Sequence, residues 1–430
     1  MAEKKKIRLS LIEVISLGVG TMIGAGIFAL FGEISTLAGG YAWLAFLLSG
    51  VISALAGYSY YVLAQAADTN GGVAEYLTLG WHSNLVGRTI SLCYFLSVAI
   101  VLGLVAKTFG HYTIKVFSLD DAWLNWLGVG VMVLFLIVNA TGVKFVGVSE
   151  KILVGIKLVV LLGFTAATFS VFSASTYADN GKEVAFEFGN FINAIALANL
   201  SFAGFAVIAN AGGSVKKGQG TIGRAIFIAI ALVAAIYIAL DIAVFGSIDL
   251  QKIESAKDYA LAEAARPALG SIGFLVLGVT AMVSTMTNIN ANIFSAANTI
   301  GFMAKKRQIS PMLSRHIFLD QGNLAMLFTV AIVIVLLLTM DLGQIGDVAS
   351  LTFLLVHTFV PLGAVLNTRK EVASSAVLLW LAVLSNGGLM VFFAWHLIGA
   401  HNLELAVFAG VVVFAAVFCA ASARLVSKAD

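Results

Sequence analysis

Charge is what this 430-residue chain has least of: Lys, Arg, Asp and Glu together make up 11% of it, against about a quarter in soluble globular domains. That scarcity excludes a solvated surface all round, so lipid must take the place of the missing water. The charge that remains nets only +3, too little for a nucleic-acid footprint. Cysteine is nearly absent, and Cys93 and Cys419 both sit in apolar runs, where they read as small core residues rather than a disulfide or a metal site. Six histidines are scattered without ligand spacing, so no metal and no cofactor are expected. No loop exceeds about 20 residues, which leaves no room for a soluble domain. Paired His, Asp, Glu or Cys groups near an interface, which a polytopic membrane enzyme needs, are missing, as are the charge rings or filter repeat of a channel.

What is present is apolar length. Hydrophobic residues make up 60% of the chain and mean hydropathy is +1.00. About 20 residues of helix cross a hydrocarbon core, and runs of that kind lie at 10–37, 41–66, 84–116, 122–143, 151–177, 190–213, 222–247, 268–304, 323–340, 345–367, 374–398 and 402–425. The basic start at Lys4, Lys5, Lys6 and Arg8 leads into the first run without a small-residue cleavage site, so this run reads as a membrane helix rather than a signal peptide. An even number of crossings puts both termini on one side. Loops and tails on that side hold 18 of the 25 Lys and Arg, among them Arg88, Lys144, Lys151, Lys216, Lys217, Arg224, Lys305, Lys306, Arg307, Arg315, Arg369, Lys370, Arg424 and Lys428. The opposite loops hold five: Lys115, Lys182, Lys252, Lys257 and Arg266. The excess of basic residues marks the cytoplasmic side, so both termini are expected in the cytoplasm of a multi-pass protein of the cell (inner) membrane.

Some membrane helices carry residues that do not belong there. The first has Gly18, Gly20, Gly24 and Gly26 within nine residues, each weakening a helix by roughly 1 kcal/mol relative to alanine. If the helix breaks there, one half ends in free N–H groups suited to a carboxylate and the other in carbonyls suited to an ammonium, so one interruption complements a zwitterion. The alternative is that these glycines admit a closely packed neighbour. The sixth run has small and polar residues at mid-depth, Asn199-Leu200-Ser201-Phe202-Ala203-Gly204, then Asn210; paired interruptions in corresponding helices of two halves point to a transporter binding site. Lys157 lies among Ile156, Leu158 and Val159. It is either a functional group that carries a proton, since low dielectric penalises its charged form, or a lysine that snorkels to the interface. Ser284, Thr287, Asn288 and Ser295 form a polar stripe in the eighth run, which hydrogen-bonds to neighbouring helices or lines an ion site, while Asp241 and His357 are isolated ionisable groups.

Across its whole length the chain resembles amino-acid permeases of the amino acid–polyamine–organocation superfamily, most of all the short prokaryotic members with a lysine in the fifth helix. The resemblance rests on Gly20-Thr21-Met22-Ile23-Gly24-Ala25-Gly26-Ile27-Phe28, on Gly204-Phe205 and Asn210-Ala211, on Arg224-Ala225-Ile226, Asn70-Gly71-Gly72 and Asn290-Ala291, and on Lys157 itself. It implies an all-α polytopic fold of 12 transmembrane helices in a LeuT-like 5+5 inverted repeat, with helices 1 and 6 discontinuous. Residues 8–177 would be the first repeat, 190–367 the second and 374–425 the last two helices of a single membrane domain, 1–430. It further implies that Gly24, Ala25 and Gly26 bind a substrate carboxylate. Carbonyls near Met22, Ile23, Leu200 and Ala203 would meet the amine, beside Gly204, and Phe202 would lie over the substrate as a gate. Lys157 would reach Ser284 and Thr287, which argues for proton rather than sodium coupling. The expected function is then secondary active import of a small, neutral amino acid by alternating access, with amino acid, protons and lipid as partners. An amino acid/metabolite or polyamine exchanger is the alternative. The segment from Gly212 to Gly223 departs from the family in lacking an acidic residue and a proline.

Overall fold

Peptide groups inside hydrocarbon have no water to pair with, so apolar runs of this length close their hydrogen bonds along helices. A computed structural model of the chain describes residues 10–67, 71–82, 84–141, 148–183, 186–210, 220–319, 322–368, 372, 374–399 and 402–427. Its helices are α1 (Leu11–Met22), α2 (Phe28–Ala38), α3 (Ala42–Ala66), α4 (Gly72–Trp81), α5 (Leu85–Phe117), α6 (Leu124–Ala140), α7 (Val148–Phe169), α8 (Ala174–Glu183) and α9 (Phe188–Ser201). They continue as α10 (Phe205–Asn210), α11 (Gly220–Phe245), α12 (Leu250–Ser255), α13 (Ala260–Glu263), α14 (Arg266–Lys305), α15 (Leu324–Thr339), α16 (Leu342–Gly363), α17 (Ala376–Leu397) and α18 (Asn402–Ser427). Among the described residues ten helices are long and apolar enough to cross a membrane, and Leu11–Met22 and Leu324–Thr339 are shorter apolar helices. The chain is an all-α, multi-pass membrane protein. The basic N-terminus, Lys144, Lys216, Lys217, Arg369, Lys370 and Lys428 lie outside the described residues, as does most of the segment after Asn210.

Burial sorts the helices into centre and rim. The apolar window of α5 is 100% buried, whereas that of α18 is 17% buried. Val159 on α7, Trp395 on α17 and Val413 on α18 are exposed apolar side chains, as expected where lipid is the solvent. Between α5, α15 and α18 an outward-facing groove of about 460 Å³ is lined by apolar side chains such as Leu96, Phe328, Val335 and Phe414.

The structure departs from the hydropathy reading in four places. The crossing expected at 151–177 ends at Phe169, and the polar residues that follow form a separate helix, α8, whose start is held by Ser173 Oγ accepting from the Thr176 N–H at 3.3 Å. The connection after α3 contains α4, which hydropathy alone did not reveal; its entry needs Gly72 at φ 60°, close against Asn210. An antiparallel hairpin pairs His316–Phe318 with Gly322–Asn323, a small exception to the helical rule. The 40-residue α14 bends at Gly270, φ 62° and ψ −153°, a backbone conformation glycine tolerates.

Two connections matter for the far end of the bundle, opposite the start of α1. The segment α12–α13 lies across α2, where Lys257 Nζ meets Glu33 Oε2 at 2.9 Å. Burial works against the Lys257 ammonium, but Glu33, with Asp258 and Asp341 nearby, outweighs it and raises the lysine pKa above its ordinary value. Lys107, buried in α5, donates to the carbonyls of Leu337, at 3.2 Å, and Met340. It thereby satisfies carbonyls at the C-terminal end of α15, which the short connection to α16 leaves without helical partners.

Candidate functional site

The first expected interruption is not a break. From Ile23 to Ile27 the helix widens into a π turn and continues into α2, so the expected discontinuity of helix 1 is corrected to a helix that stays wound while its register shifts. The reason lies in what enters the ladder. A π turn pairs its carbonyls five residues on instead of four, and side chains of neighbouring helices add donors to carbonyls along the stretch. Asn288 Nδ2 on α14 donates to the Thr21 carbonyl at 2.9 Å. Tyr237 Oη on α11 donates to the Met22 carbonyl at 2.9 Å. Tyr112 Oη on α5 donates to the Phe28 carbonyl at 3.3 Å.

The glycines of this stretch serve close packing as well. A Cβ on Gly26 would lie 2.6 Å from the Ser201 carbonyl oxygen, and one on Gly24 would lie 3.0 Å from the Ser284 carbonyl oxygen and from Asn288 Cβ. Gly18 packs on Ile208 and Gly20 on Val154. The close-packing reading of the glycine run therefore applies, since it brings α9 and α14 up to the first span, and the run sits where that span changes register. The backbone of Ala25 lies within the same π turn.

The sixth expected crossing is interrupted in the opposite sense. Between α9 and α10, residues 202–204 form a tight turn with i to i+3 bonds: Ala203 N–H donates to the Leu200 carbonyl at 2.9 Å, and Ala206 N–H to the Ala203 carbonyl at 3.1 Å. The Leu200 and Ala203 carbonyls, expected to meet an ammonium, thus already accept bonds within the turn. Gly204 lets this turn touch the first span, since a Cβ there would stand 2.5 Å from the Met22 backbone nitrogen. Phe202 is fully buried, with its ring 5.5 Å from that of Tyr237, which in turn lies 5.3 Å from Phe46. The three rings form a plug beside the π turn.

Lys157 does not snorkel. It is 2% exposed, and its Nζ donates to Thr287 Oγ1 and, at 3.5 Å, to the Ser284 carbonyl. It shares a cavity of about 10 Å³ with Gly20, Thr21, Val154 and Asn288. Ser284 Oγ is buried without a hydrogen-bond partner among the described residues. The polar stripe of α14 is thereby divided: Thr287 meets Lys157, Asn288 meets Thr21, and Ser295 Oγ accepts from Asn210 Nδ2 at 2.7 Å.

A second cavity, about 30 Å³, is lined by Thr21, Tyr94, Ser97, Gly204, Asn288 and Phe353, among others. It draws on the first, third, sixth, eighth and tenth expected crossings. It has room for only a water or two, whereas small-molecule pockets span hundreds of Å³, so as bounded by the described residues this cavity is too small for an amino acid.

Asp241 and His357 fall elsewhere. Asp241 accepts from Ser35 Oγ at 3.3 Å and ties α11 to α2. His357 stacks on Tyr60 with ring centroids 5.5 Å apart and bonds its hydroxyl at 3.0 Å. Tyr237 is the residue sequence reasoning passed over. Its signal was a lone phenol in the run Ala234-Ala235-Ile236-Tyr237-Ile238, since a buried tyrosine hydroxyl must find a partner.

A family model described as "Amino acid permease" matches residues 9–421. The inner membrane transport protein YbaT of Escherichia coli (strain K12) is 29% identical over 374 residues, covering 86% of each chain. An uncharacterized protein of Methanocaldococcus jannaschii, MJ0609, is 28% identical over 99% of this chain and 98% of its own length. The serine/threonine exchanger SteT of Bacillus subtilis (strain 168) is 22% identical over 85% of this chain and 84% of its own.

Proposed function

The chain belongs to the amino acid permease family and is a membrane transporter rather than an enzyme; from that premise we propose that it imports a small, neutral amino acid together with a proton, by alternating access. The observation that carries this reading is the placing of Lys157, a buried ammonium held by Thr287 and the Ser284 carbonyl one helix away from the π turn. An ammonium there takes the part of a bound cation, and by losing its proton it frees Ser284 and Thr287 once per cycle. The substrate carboxylate sits on the backbone of Gly24, Ala25 and Gly26, and its ammonium on the carbonyls of Met22 and Ile23, with Leu200, Ala203 and Gly204 facing it from the sixth crossing. Phe202 closes over it. Twelve crossings in a LeuT-like arrangement accommodate these roles, with repeats at 8–177 and 190–367 followed by 374–425. The charge asymmetry of the loops supports cytoplasmic termini in the cell membrane.

Uptake of radiolabelled amino acids into proteoliposomes, with and without an inward pH gradient, tests the reading. Gradient-stimulated uptake is expected, and Lys157→Met should abolish the stimulation; unchanged gradient-driven uptake in that variant removes the lysine from the mechanism. Exchange is the second reading, favoured by the similarity to the serine/threonine exchanger of Bacillus subtilis. It requires uptake only when serine, threonine or another amino acid is loaded inside the vesicles.

A further inference from the structure

Tyr237 belongs to none of the roles above, yet it occupies the best-placed atoms in the protein. Its ring is fully buried in α11, between Phe46 and Phe202. Its hydroxyl stands at the start of the π turn of the first span, donating to Met22 C=O at 2.9 Å. A side-chain group that enters the helical ladder is a recognised cause of helix irregularity. The phenol thus gives the Met22 carbonyl an O–H donor. The ammonium of an amino acid, proposed above to sit on the same carbonyl, offers an N–H donor in its place.

We propose that Tyr237 is a built-in substitute for the substrate's ammonium: its hydroxyl donates to the Met22 carbonyl in the unloaded carrier and is displaced when an amino acid takes over that carbonyl. The inference rests on the binding site proposed above. Displacement carries the ring with it, and because that ring touches Phe46 and Phe202, the exchange of one set of hydrogen bonds for another loosens the plug over the site. Tyr237 is a positioning residue that reports occupancy to the gate, not a member of the substrate's own contacts.

The sign of one mutation separates this from a purely structural role. In Tyr237→Phe the ring stays, but the unloaded carrier loses the group that satisfied a buried carbonyl, while the loaded carrier loses nothing. Binding must therefore tighten, by about tenfold given the usual cost of an unpaired buried polar group. The maximal uptake rate should fall, because the carrier returns through a closed form that has been made less stable. A bond kept in both states predicts unchanged or weaker binding.

The experiment measures binding of L-alanine, L-serine and L-threonine, then the remaining amino acids, to the purified full-length wild-type and Tyr237→Phe proteins by calorimetry, with KM and maximal rate from proteoliposomes. Tighter binding with a lower KM and a lower maximal rate supports the proposal; equal or weaker binding by a folded variant overturns it. If the variant does not fold, 3-fluorotyrosine placed at position 237 alone keeps the hydroxyl and reports by fluorine NMR. Its resonance should move on saturation with an amino acid that binds, and a resonance that stays put overturns the proposal. Should the wild-type protein bind none of the twenty, the amino-acid reading itself fails and takes this inference with it.

Discussion

The first and sixth crossings meet at the centre of the bundle and are both irregular, but in opposite directions. The first widens to a π turn whose Thr21 and Met22 carbonyls are satisfied from outside, by Asn288 and Tyr237. The sixth tightens at residues 202–204 and bonds Leu200 and Ala203 to its own N–H groups. A widened turn held by side chains can exchange those partners without unwinding, because each partner can swing away on its own χ angles. A tightened turn that pairs with itself must change its backbone to release anything. The contrast teaches that irregular backbone at membrane depth comes in two kinds, one open to substitution by a ligand and one that acts as a hinge or a stop.

The harshest way to break the contrast is to separate the two turns. Gly26→Leu drives a side chain into the Ser201 backbone, where even a Cβ would stand 2.6 Å from the carbonyl oxygen. Uptake should vanish and the monodisperse peak on size exclusion should be lost, because the backbone on both sides must move. Thr287→Val comes next. It takes away a partner of Lys157 while leaving both turns in place, so gradient-driven uptake should fall by an order of magnitude or more, while counterflow measured in the same vesicles falls less. Asn288→Ala acts on the widened turn and also takes away an acceptor of Asn292 Nδ2 on the same helix. It strips the Thr21 carbonyl of its side-chain donor at a cost of about 1–3 kcal/mol, to be read as a lower melting temperature. Ser53→Ala, its counterpart beside the tight turn, removes the oxygen that accepts from Asn199 Nδ2 at 3.3 Å and should cost about 1 kcal/mol with no change in affinity for amino acids.

The smallest effect belongs far from both turns. Lys257→Gln removes the ion pair with Glu33 on the strap over α2, whose partners are 46% and 26% exposed. Such pairs contribute at most about 1 kcal/mol. Because the folded-state pKa of Lys257 lies above the ordinary lysine value, the contribution is fully present below that ordinary value and fades only as pH rises through the folded one. The wild-type and variant melting curves should therefore keep a constant offset through the neutral range.

Most of the helical plan was legible because it follows from one quantity, apolar length: α3, α11 and α17 begin and end within two residues of the runs read at 41–66, 222–247 and 374–398. The glycine run and Lys157 were legible as anomalies, since each costs stability in a membrane helix and so calls for a reason. What could not be read was how the anomalies resolve. Glycine spacing does not distinguish a gap from a π turn, and the side chains that meet this stretch, Tyr237 and Asn288, come from more than 200 residues away in sequence. The short helix α4 and the hairpin at 316–323 were invisible for another reason: they lie outside the apolar runs, where hydropathy carries no periodic signal and local turn chemistry decides.

Lys107 has a consequence for how the protein is made. A lysine in α5 enters the bilayer at a cost of about 2.5–3.5 kcal/mol, and the carbonyls that receive it, Leu337 and Met340, lie more than 200 residues downstream. When the ribosome has finished α5, those carbonyls do not yet exist. The most deeply enclosed helix of the bundle is thus left with an unmatched cation until α15 has been synthesised and inserted, which ties the completion of the core to the arrival of a late segment.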